Sequence, residues 1–343
     1  MSGRVRRWLG IAAGALLALA VFEGVARRIY WMPYELHPVL GSVIQPGRTA
    51  RYCREGCGSS HWIEGGIRRT APLDPAKPVV LVLGDSFTES YMIDDDRVYT
   101  GQVEARLAAS GSPLQLANAG RSGLAVPDYI ELAPYYAAAL APVWTVIELR
   151  PPDLEDDAFD TRKTHFVRDA AGGVSVVPVS RTGVSRWNRV LAPLRRNSAL
   201  ASFATVRAFE FAAAARAEAP LFRATRRAAE PPPPAAYPVV AELDALAAAY
   251  GGRVTFLFLP VYETRRPTHV GETEQIVADT CTARGWSCVS LRAAFPGFTA
   301  RNASPFGFPN SQYNVGHMNE AGHDATAVLL EAELRRVVAR DLL

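Results

Sequence analysis

A serine follows the most apolar short segment of the sequence. Residues 78–83 (Pro-Val-Val-Leu-Val-Leu) are rich in β-branched side chains, which is typical of a buried parallel strand. Gly84, Asp85 and Ser86 come directly after them. Ligands of open α/β sheets bind at the carboxyl ends of the strands, so the Ser86 hydroxyl is placed to act as a nucleophile. We expect Asp85 to have a structural role beside it.

A serine nucleophile needs a base to accept its proton and a further group to orient that base. Of the six histidines, His317 and His323 lie just before or at the start of a helix predicted at about 319–340. In a parallel sheet this position returns to the strand edges, so His317 is the predicted base, whereas His323 is predicted to be structural. Asn314, three residues before His317, is the candidate orienting group.

Strands and helices alternate on both sides of these residues. Further strands are predicted at 114–118, 143–149, 254–259 and 288–291, and helices at 97–110, 127–140, 237–250 and 271–284. This alternation is typical of βαβ units and a parallel sheet, and it predicts one α/β domain over 77–343. Residues 155–235 interrupt it. They are predicted to be an insertion with a hairpin at 166–178, helices within 198–228 and a polyproline connection at 231–234.

Three blocks in this order resemble the GDSL-type, or SGNH, hydrolase family: Gly84-Asp85-Ser86, then Asn-Ala-Gly-Arg-Ser-Gly at 118–123, then His317. That family has a flavodoxin-like, three-layer α/β fold and hydrolyses acyl esters without a metal or other cofactor. The resemblance implies that Ser86 is the nucleophile and His317 the base, and that the backbone N–H groups of Ser86 and Gly123 hold the oxyanion. It covers residues 78–150 and 237–340 and leaves the insertion unexplained.

Two positions depart from the family's pattern. The asparagine that completes the family's oxyanion hole corresponds to Pro152, and proline has neither a side-chain donor nor a backbone N–H. Arg150 is a candidate substitute donor, and Asp153 is expected to be structural near the site. The family's histidine-orienting aspartate corresponds to Asn314, which can accept a hydrogen bond but carries no charge to stabilise the imidazolium.

The basic residues concentrate at the N-terminus. The first 28 residues hold five arginines and one glutamate, so their net charge is +4. The whole chain carries +3, which leaves about −1 for the remaining residues. A near-neutral body argues against a nucleic-acid partner. The apolar stretch 8–22, preceded by three arginines, predicts a signal anchor over 1–29 with the body outside the cytoplasm. A signal peptide cleaved near 18–20 and a buried core helix are the alternatives.

The four cysteines form two local pairs. Cys53 and Cys57 lie in residues 30–76, which are predicted to be an irregular lead-in, and Cys281 and Cys288 lie near the other end of the chain. Such pairs suit disulfides in an oxidising compartment. Free buried thiols and a zinc site are alternatives, although neither spacing is that of a C-x-x-C knuckle. The pairing is left open.

Two functions follow from these patterns. The first is a membrane-anchored, exported serine esterase or acyltransferase that acts on acyl esters, above all acetyl esters, with cell-envelope glycans as expected carriers and no cofactor. The second is a non-catalytic binding or assembly module of the cell envelope on a degenerate hydrolase fold, because two supporting groups of the family are replaced. Activity that depends on Ser86 would distinguish them.

Overall fold

The structure, a computed structural model, describes most of the chain, namely residues 3–169, 173–179, 186–205, 207–208, 237–264, 266 and 268–341. The predicted polyproline connection at 231–234 and the helices predicted after residue 208 lie outside these ranges.

Five parallel strands form the centre of the fold. They are β7 (Val79–Leu83), β8 (Gln115–Asn118), β9 (Trp144–Leu149), β12 (Val254–Phe258) and β13 (Ser287–Ser290). Their order in the sheet is β8-β7-β9-β12-β13, and all four neighbouring pairs are parallel. Taken by position along the chain, this order is 2-1-3-4-5, which is the flavodoxin-like order. The predicted fold class is confirmed.

Helices cover both faces of this sheet. Alternate side chains of β7 point to opposite sides, as the strand period requires. Leu81 and Leu83 share a core with helices Val126–Leu140, Val239–Ala249 and Glu272–Arg284. Val80 and Val82 share another with helices Tyr99–Ala109 and Glu320–Asp341. The result is three layers, with short helices at Ser86–Glu89 and Phe295–Ala300.

The prediction of an irregular lead-in is wrong for residues 30–68. Strands β1 (Tyr30–Trp31), β4 (Thr49–Tyr52), β5 (Gly58–Ile63) and β6 (Ile67–Arg68) extend the central sheet as antiparallel strands beyond β8. The pair β2 (Tyr34–His37) and β3 (Gly41–Ile44) forms a separate hairpin. These strands have two to six residues and few β-branched side chains, so their periodicity in the sequence is weak.

The insertion adds a second small hairpin and a helix. Strands β10 (His165–Arg168) and β11 (Val174–Val177) pair antiparallel, which confirms the predicted hairpin. Helix Arg186–Asn197 follows, and residues 199–205 are also helical.

An N-terminal helix, Gly3–Ile29, is long and apolar enough to cross a membrane and is the one such helix among the described residues. Only 6% of its most apolar window is buried against the rest of the protein, which excludes the buried core helix as an interpretation.

All four cysteines are in disulfides, Cys53–Cys57 and Cys281–Cys288. The predicted disulfides are therefore present as two local pairs, and the alternatives of free thiols and a zinc site are wrong.

Candidate active site

Ser86 begins a single helical turn directly after β7. Asp85 caps this turn, because its Oδ1 accepts the Phe87 N–H at 2.7 Å. Gly84 is required for the tight entry: a Cβ there would lie 2.2 Å from Thr88 Oγ1 and 2.5 Å from Glu148 Oε2. The turn places the Ser86 hydroxyl at the carboxyl edge of the sheet, half-buried.

His317 lies beside this serine, since its Nε2 is 2.9 Å from Ser86 Oγ. It occupies the loop that precedes the final helix. Asn319 begins that helix by accepting the Gly322 N–H, and its amide donates to the Ser304 and Gly307 carbonyls. The Asn319 side chain therefore ties the loop of His317 both to the final helix and to the carbonyls of Ser304 and Gly307.

The group that orients His317 is Glu55, a residue that the sequence patterns did not single out. Its Oε2 is 2.6 Å from His317 Nδ1, and its Oε1 accepts the His317 backbone N–H at 2.7 Å. With Nδ1–H donated to a carboxylate, Nε2 is left as the acceptor for the serine proton. Ser86, His317 and Glu55 thus form a hydrogen-bonded chain of hydroxyl, imidazole and carboxylate.

The assignment of Asn314 as the orienting group is wrong. Its Nδ2 donates to the Tyr262 carbonyl at 2.9 Å and its Oδ1 accepts from the Ser304 hydroxyl, so the amide is used within its own loop. Asn314 has a φ of +58°, a left-handed conformation that asparagine tolerates better than most residues. Its role is to shape the loop that carries His317.

Glu55 reaches the imidazole because a disulfide loop presents it. The residue lies between Cys53 and Cys57, and the next residue, Gly56, exchanges two hydrogen bonds with the side chain of Asn310. On the histidine side, Gly316 has a φ of +94°, and a Cβ there would lie 2.1 Å from Glu55 Oε1. The carboxylate therefore packs directly on the backbone before His317.

Two backbone N–H groups near Ser86 are available to an oxyanion. In the loop after β8, the N–H groups of residues 119–122 are all donated to protein acceptors, the last of them to Glu89 Oε2. Within the described part of the chain, the N–H groups of Ser86 and Gly123 make no hydrogen bond. Gly123 has a φ of +83° and open space around its α-carbon.

Arg150 lies close to the helical turn Ser86–Glu89, which carries the candidate nucleophile and is called the nucleophile turn below. Its Nη1 is 3.2 Å from Asp85 Oδ2, and its guanidinium lies 3.9 Å from the centre of the Phe87 ring. The Phe87 ring in turn contacts the His317 ring, with 5.0 Å between their centres. Asp153 holds the backbone of Arg150 by accepting its N–H at 2.8 Å.

Two buried carboxyl groups lie beneath the turn. Glu148 accepts from the Asp85 N–H and from Thr88 Oγ1, both at 3.1 Å. Burial, reinforced by the charge of Asp85, raises the pKa values of both Glu148 and Asp153 well above their usual range. Arg150 is the cation that pairs with Asp85 above these two carboxyl groups.

Arg68 and His323 support the turn from behind. Buried Arg68 donates to the carbonyls of Glu89, Ser90 and Ile93 and pairs with Asp95. His323 Nδ1 accepts the Tyr99 N–H at 3.2 Å, which leaves Nε2–H to donate to Ser90 Oγ at 3.1 Å. His323 is thus structural and neutral.

Comparisons with known proteins give fold-level similarity alone. No protein-family model matches the sequence, and no curated protein matches it. Among solved structures, the chain is similar to a two-domain esterase active on acetylated mannans, with 12% identity, a TM-score of 0.40, and coverage of 76% of this chain and 49% of that chain. It is also similar to TesA, with 14% identity, a TM-score of 0.41, and coverage of 75% and 98%.

A catalytic mutant of Axe2, an acetylxylan esterase from Geobacillus stearothermophilus, has 14% identity, a TM-score of 0.41, and coverage of 77% of this chain and 96% of that chain. The chain spans about half the length of the two-domain esterase. At these identities, the similarities say nothing about the site residues or the substrate of this chain.

The buried His323 predicts a specific acid sensitivity. Burial, with smaller contributions from the charges of Arg68 and His317, lowers the pKa of His323 from 6.5 to about 3. Below pH 6.5 the His323 imidazole is therefore protonated in the unfolded chain but stays neutral in the folded chain. The free energy of unfolding then falls by about 1.4 kcal/mol for each pH unit of acidification. Between pH 7 and 4.5 this loss is on the order of 2–3 kcal/mol, and His323→Gln should lack it.

Denaturant unfolding of the full-length protein in detergent micelles, at several pH values, measures this difference. His269→Gln, which replaces an exposed histidine, is the control and should keep the wild-type dependence. A His323→Gln variant with the same pH dependence as the wild type would contradict the prediction.

Proposed function

We propose that the protein is a serine ester hydrolase or acyltransferase of the SGNH type, with Ser86 as nucleophile. The observation that carries this proposal is the unbroken chain from Ser86 Oγ through His317 to the Glu55 carboxylate. The alternative, a degenerate binding module, relied partly on the loss of the orienting acid at position 314. Since Glu55 supplies a carboxylate from another part of the chain, that argument for decay no longer holds.

The geometry supports the following reaction. His317 Nε2 takes the Ser86 proton while Oγ attacks the acyl carbon, and the Glu55 side chain, bonded to Nδ1, stabilises the imidazolium. The N–H groups of Ser86 and Gly123 bind the oxyanion. His317 then protonates the leaving alcohol, which departs and leaves the acyl group on Ser86. Water, or a sugar hydroxyl in a transferase, attacks the acyl-enzyme with His317 again as base.

Arg150 is proposed to stand in for the missing asparagine side chain. Pro152 lies in a 3₁₀ turn over Pro151–Leu154 and offers no donor there. The Arg150 guanidinium contacts Asp85 and Phe87, the residues on either side of Ser86. A donor at this site typically contributes about 3–4 kcal/mol to transition-state stabilisation.

The compartment narrows the substrate class. Disulfides persist in oxidising compartments, and the apolar stretch of the N-terminal helix follows three arginines that favour a cytoplasmic N-terminus. We propose that residues 1–29 anchor the protein and that the body lies outside the cytoplasm. Acetyl esters of cell-envelope glycans are the proposed substrates, since such acyl groups occur there and need no cofactor for removal or transfer.

The proposal predicts that activity depends on Ser86. Full-length protein in detergent should hydrolyse p-nitrophenyl acetate, and Ser86→Ala should reduce the rate to background. A fluorophosphonate probe should label the wild type on Ser86, as seen by peptide mass spectrometry, and should not label the variant. Ser42→Ala, which removes an exposed hydroxyl, is the control for both measurements. Equal rates and equal labelling in wild type and Ser86→Ala would refute the enzymatic function.

Glu55→Gln should lower kcat by up to about 10⁴-fold with little change in KM. The Glu55 carboxylate accepts two N–H groups of His317, whereas a glutamine would direct its own NH₂ at one of them. Steady-state kinetics measure the change, and Glu64→Gln, at an exposed position, is the matched control. Wild-type kcat in Glu55→Gln, together with a large loss in Asn314→Ala, would return the orienting role to Asn314.

The Cys53–Cys57 disulfide should be needed for full turnover. It encloses Glu55, and a displacement of about 1 Å in such a group costs on the order of 10²-fold in rate. The double variant Cys53→Ser/Cys57→Ser should therefore lose kcat by about this factor and become insensitive to dithiothreitol. Cys281→Ser/Cys288→Ser is the control, because that disulfide joins helix Glu272–Arg284 to β13 and should leave kcat unchanged. An equal effect of both double variants on kcat would contradict the prediction.

A further inference from the structure

The insertion is attached to the end of the membrane helix. Both carboxylate oxygens of Glu23 accept hydrogen bonds from the start of the helical segment 199–205: the donors are Ser198 Oγ at 2.8 Å and the N–H groups of Ala199 and Leu200 at 2.9 Å. Arg27 donates to the Asn197 carbonyl at 2.7 Å. Helix Arg186–Asn197 therefore ends where the N-terminal helix leaves its apolar stretch.

Further contacts keep this segment in place. Ser202 Oγ donates to the Met32 carbonyl, and the Phe203 ring packs edge-on against Tyr30, with 5.8 Å between ring centres. Ala199 and Ser202 are fully buried. The segment and the end of the membrane helix thus form one packed unit, in which Glu23 is paired by hydrogen bonds.

Two exposed apolar side chains lie on one face of helix Arg186–Asn197. Val190 and Leu194, four residues apart and therefore on one face, are 62% and 56% exposed. The β2–β3 hairpin contacts this helix and carries two more exposed apolar side chains, Leu36 and Val39, at 42% and 44%. We call Leu36, Val39, Val190 and Leu194 the apolar collar.

Cations accompany the collar. Arg196, which is half-buried, lies in the last turn of the helix, and Arg28 is exposed at the end of the membrane helix. An amphipathic helix with apolar side chains on one face and arginines beside them is typical of segments that lie in the headgroup region of a membrane. Basic residues near an anionic leaflet add attraction to its lipid headgroups.

We infer that the apolar collar rests in the surface of an anionic lipid bilayer on the side where the N-terminal helix emerges. The occupant of the face is lipid, because the collar is continuous with a helix that crosses the bilayer and its arginines complement anionic headgroups. The body is then held in one orientation at a fixed height above the membrane, instead of swinging on a tether. This inference rests on the proposed membrane anchor at residues 1–29 and does not depend on the proposed catalytic activity.

Nitroxide labels on single cysteines test the inference. All four native cysteines are in disulfides, so Leu194→Cys and Val190→Cys each provide one free thiol in the full-length protein. The labelled protein is reconstituted in vesicles of phosphatidylethanolamine and phosphatidylglycerol. Collision rates with oxygen, which concentrates in lipid, and with a water-soluble nickel complex are measured by electron paramagnetic resonance. Val328→Cys, half-exposed on the final helix, is the aqueous control, and Leu16→Cys in the membrane helix is the lipid control.

We expect the ratio of oxygen to nickel collisions at positions 190 and 194 to exceed that at Val328 by several-fold and to approach that at Leu16. In phosphatidylcholine alone the ratio at both positions should fall, because the arginines lose their anionic partners. Ratios at 190 and 194 equal to that at Val328 would overturn the inference, and they are also the result expected if another protein covers the collar in the cell. Equal ratios in the two kinds of vesicle would overturn the role of anionic lipid. An aqueous ratio at Leu16 would overturn the inference together with the membrane anchor.

Discussion

The pairing of Glu55 with His317 is the constraint on which the site depends. A carboxylate that accepts both Nδ1–H and the backbone N–H of one histidine fixes the ring's tautomer and its rotation together. The two residues are 262 positions apart, so the contact exists only when the N-terminal strands and the C-terminal loop are both seated on the sheet. Two glycines allow this packing. A Cβ on Gly316 would clash with Glu55 itself, and a Cβ on Gly56 would clash with Met92 and Phe308, against which the disulfide loop packs.

Several polar side chains are buried around the nucleophile turn because the turn is too short to satisfy its own backbone hydrogen bonds. A four-residue helix has almost no intrahelical hydrogen bonds, and its ends need partners from elsewhere. Asp85 satisfies its amino end, and Arg68 satisfies carbonyls at and beyond its carboxyl end. Glu89 holds the neighbouring loop by accepting the Ser122 N–H, which leaves the Gly123 N–H as the next free donor. These buried groups thus hold the backbone of the turn and of its neighbouring loop in place.

The parallel sheet and the position of Ser86 at its edge were predictable because their physical causes are local. A run such as Val79–Leu83 is apolar enough to be read as a buried strand, and the placement of Ser86 and His317 follows from the rule that parallel strands end at one edge. Glu55 was not predictable in this way. Its segment consists of short strands with weak periodicity, and its role arises from a contact across the whole chain. The one local sign was its place between two cysteines, which shows that the loop is constrained but not what it faces.

The N-terminal helix and the disulfide loop that carries Glu55 are close neighbours along the chain. After Ile29 the chain forms β1, the β2–β3 hairpin and β4, and it reaches the disulfide loop of Glu55 before the first parallel strand, β7. The Glu55 carboxylate therefore belongs to the segment that directly follows the N-terminal helix. Its loop closes only where cysteines are oxidised, and the strands around it pack only on a folded sheet. The contact between Glu55 and His317 therefore depends on both the folded sheet and the closed Cys53–Cys57 loop.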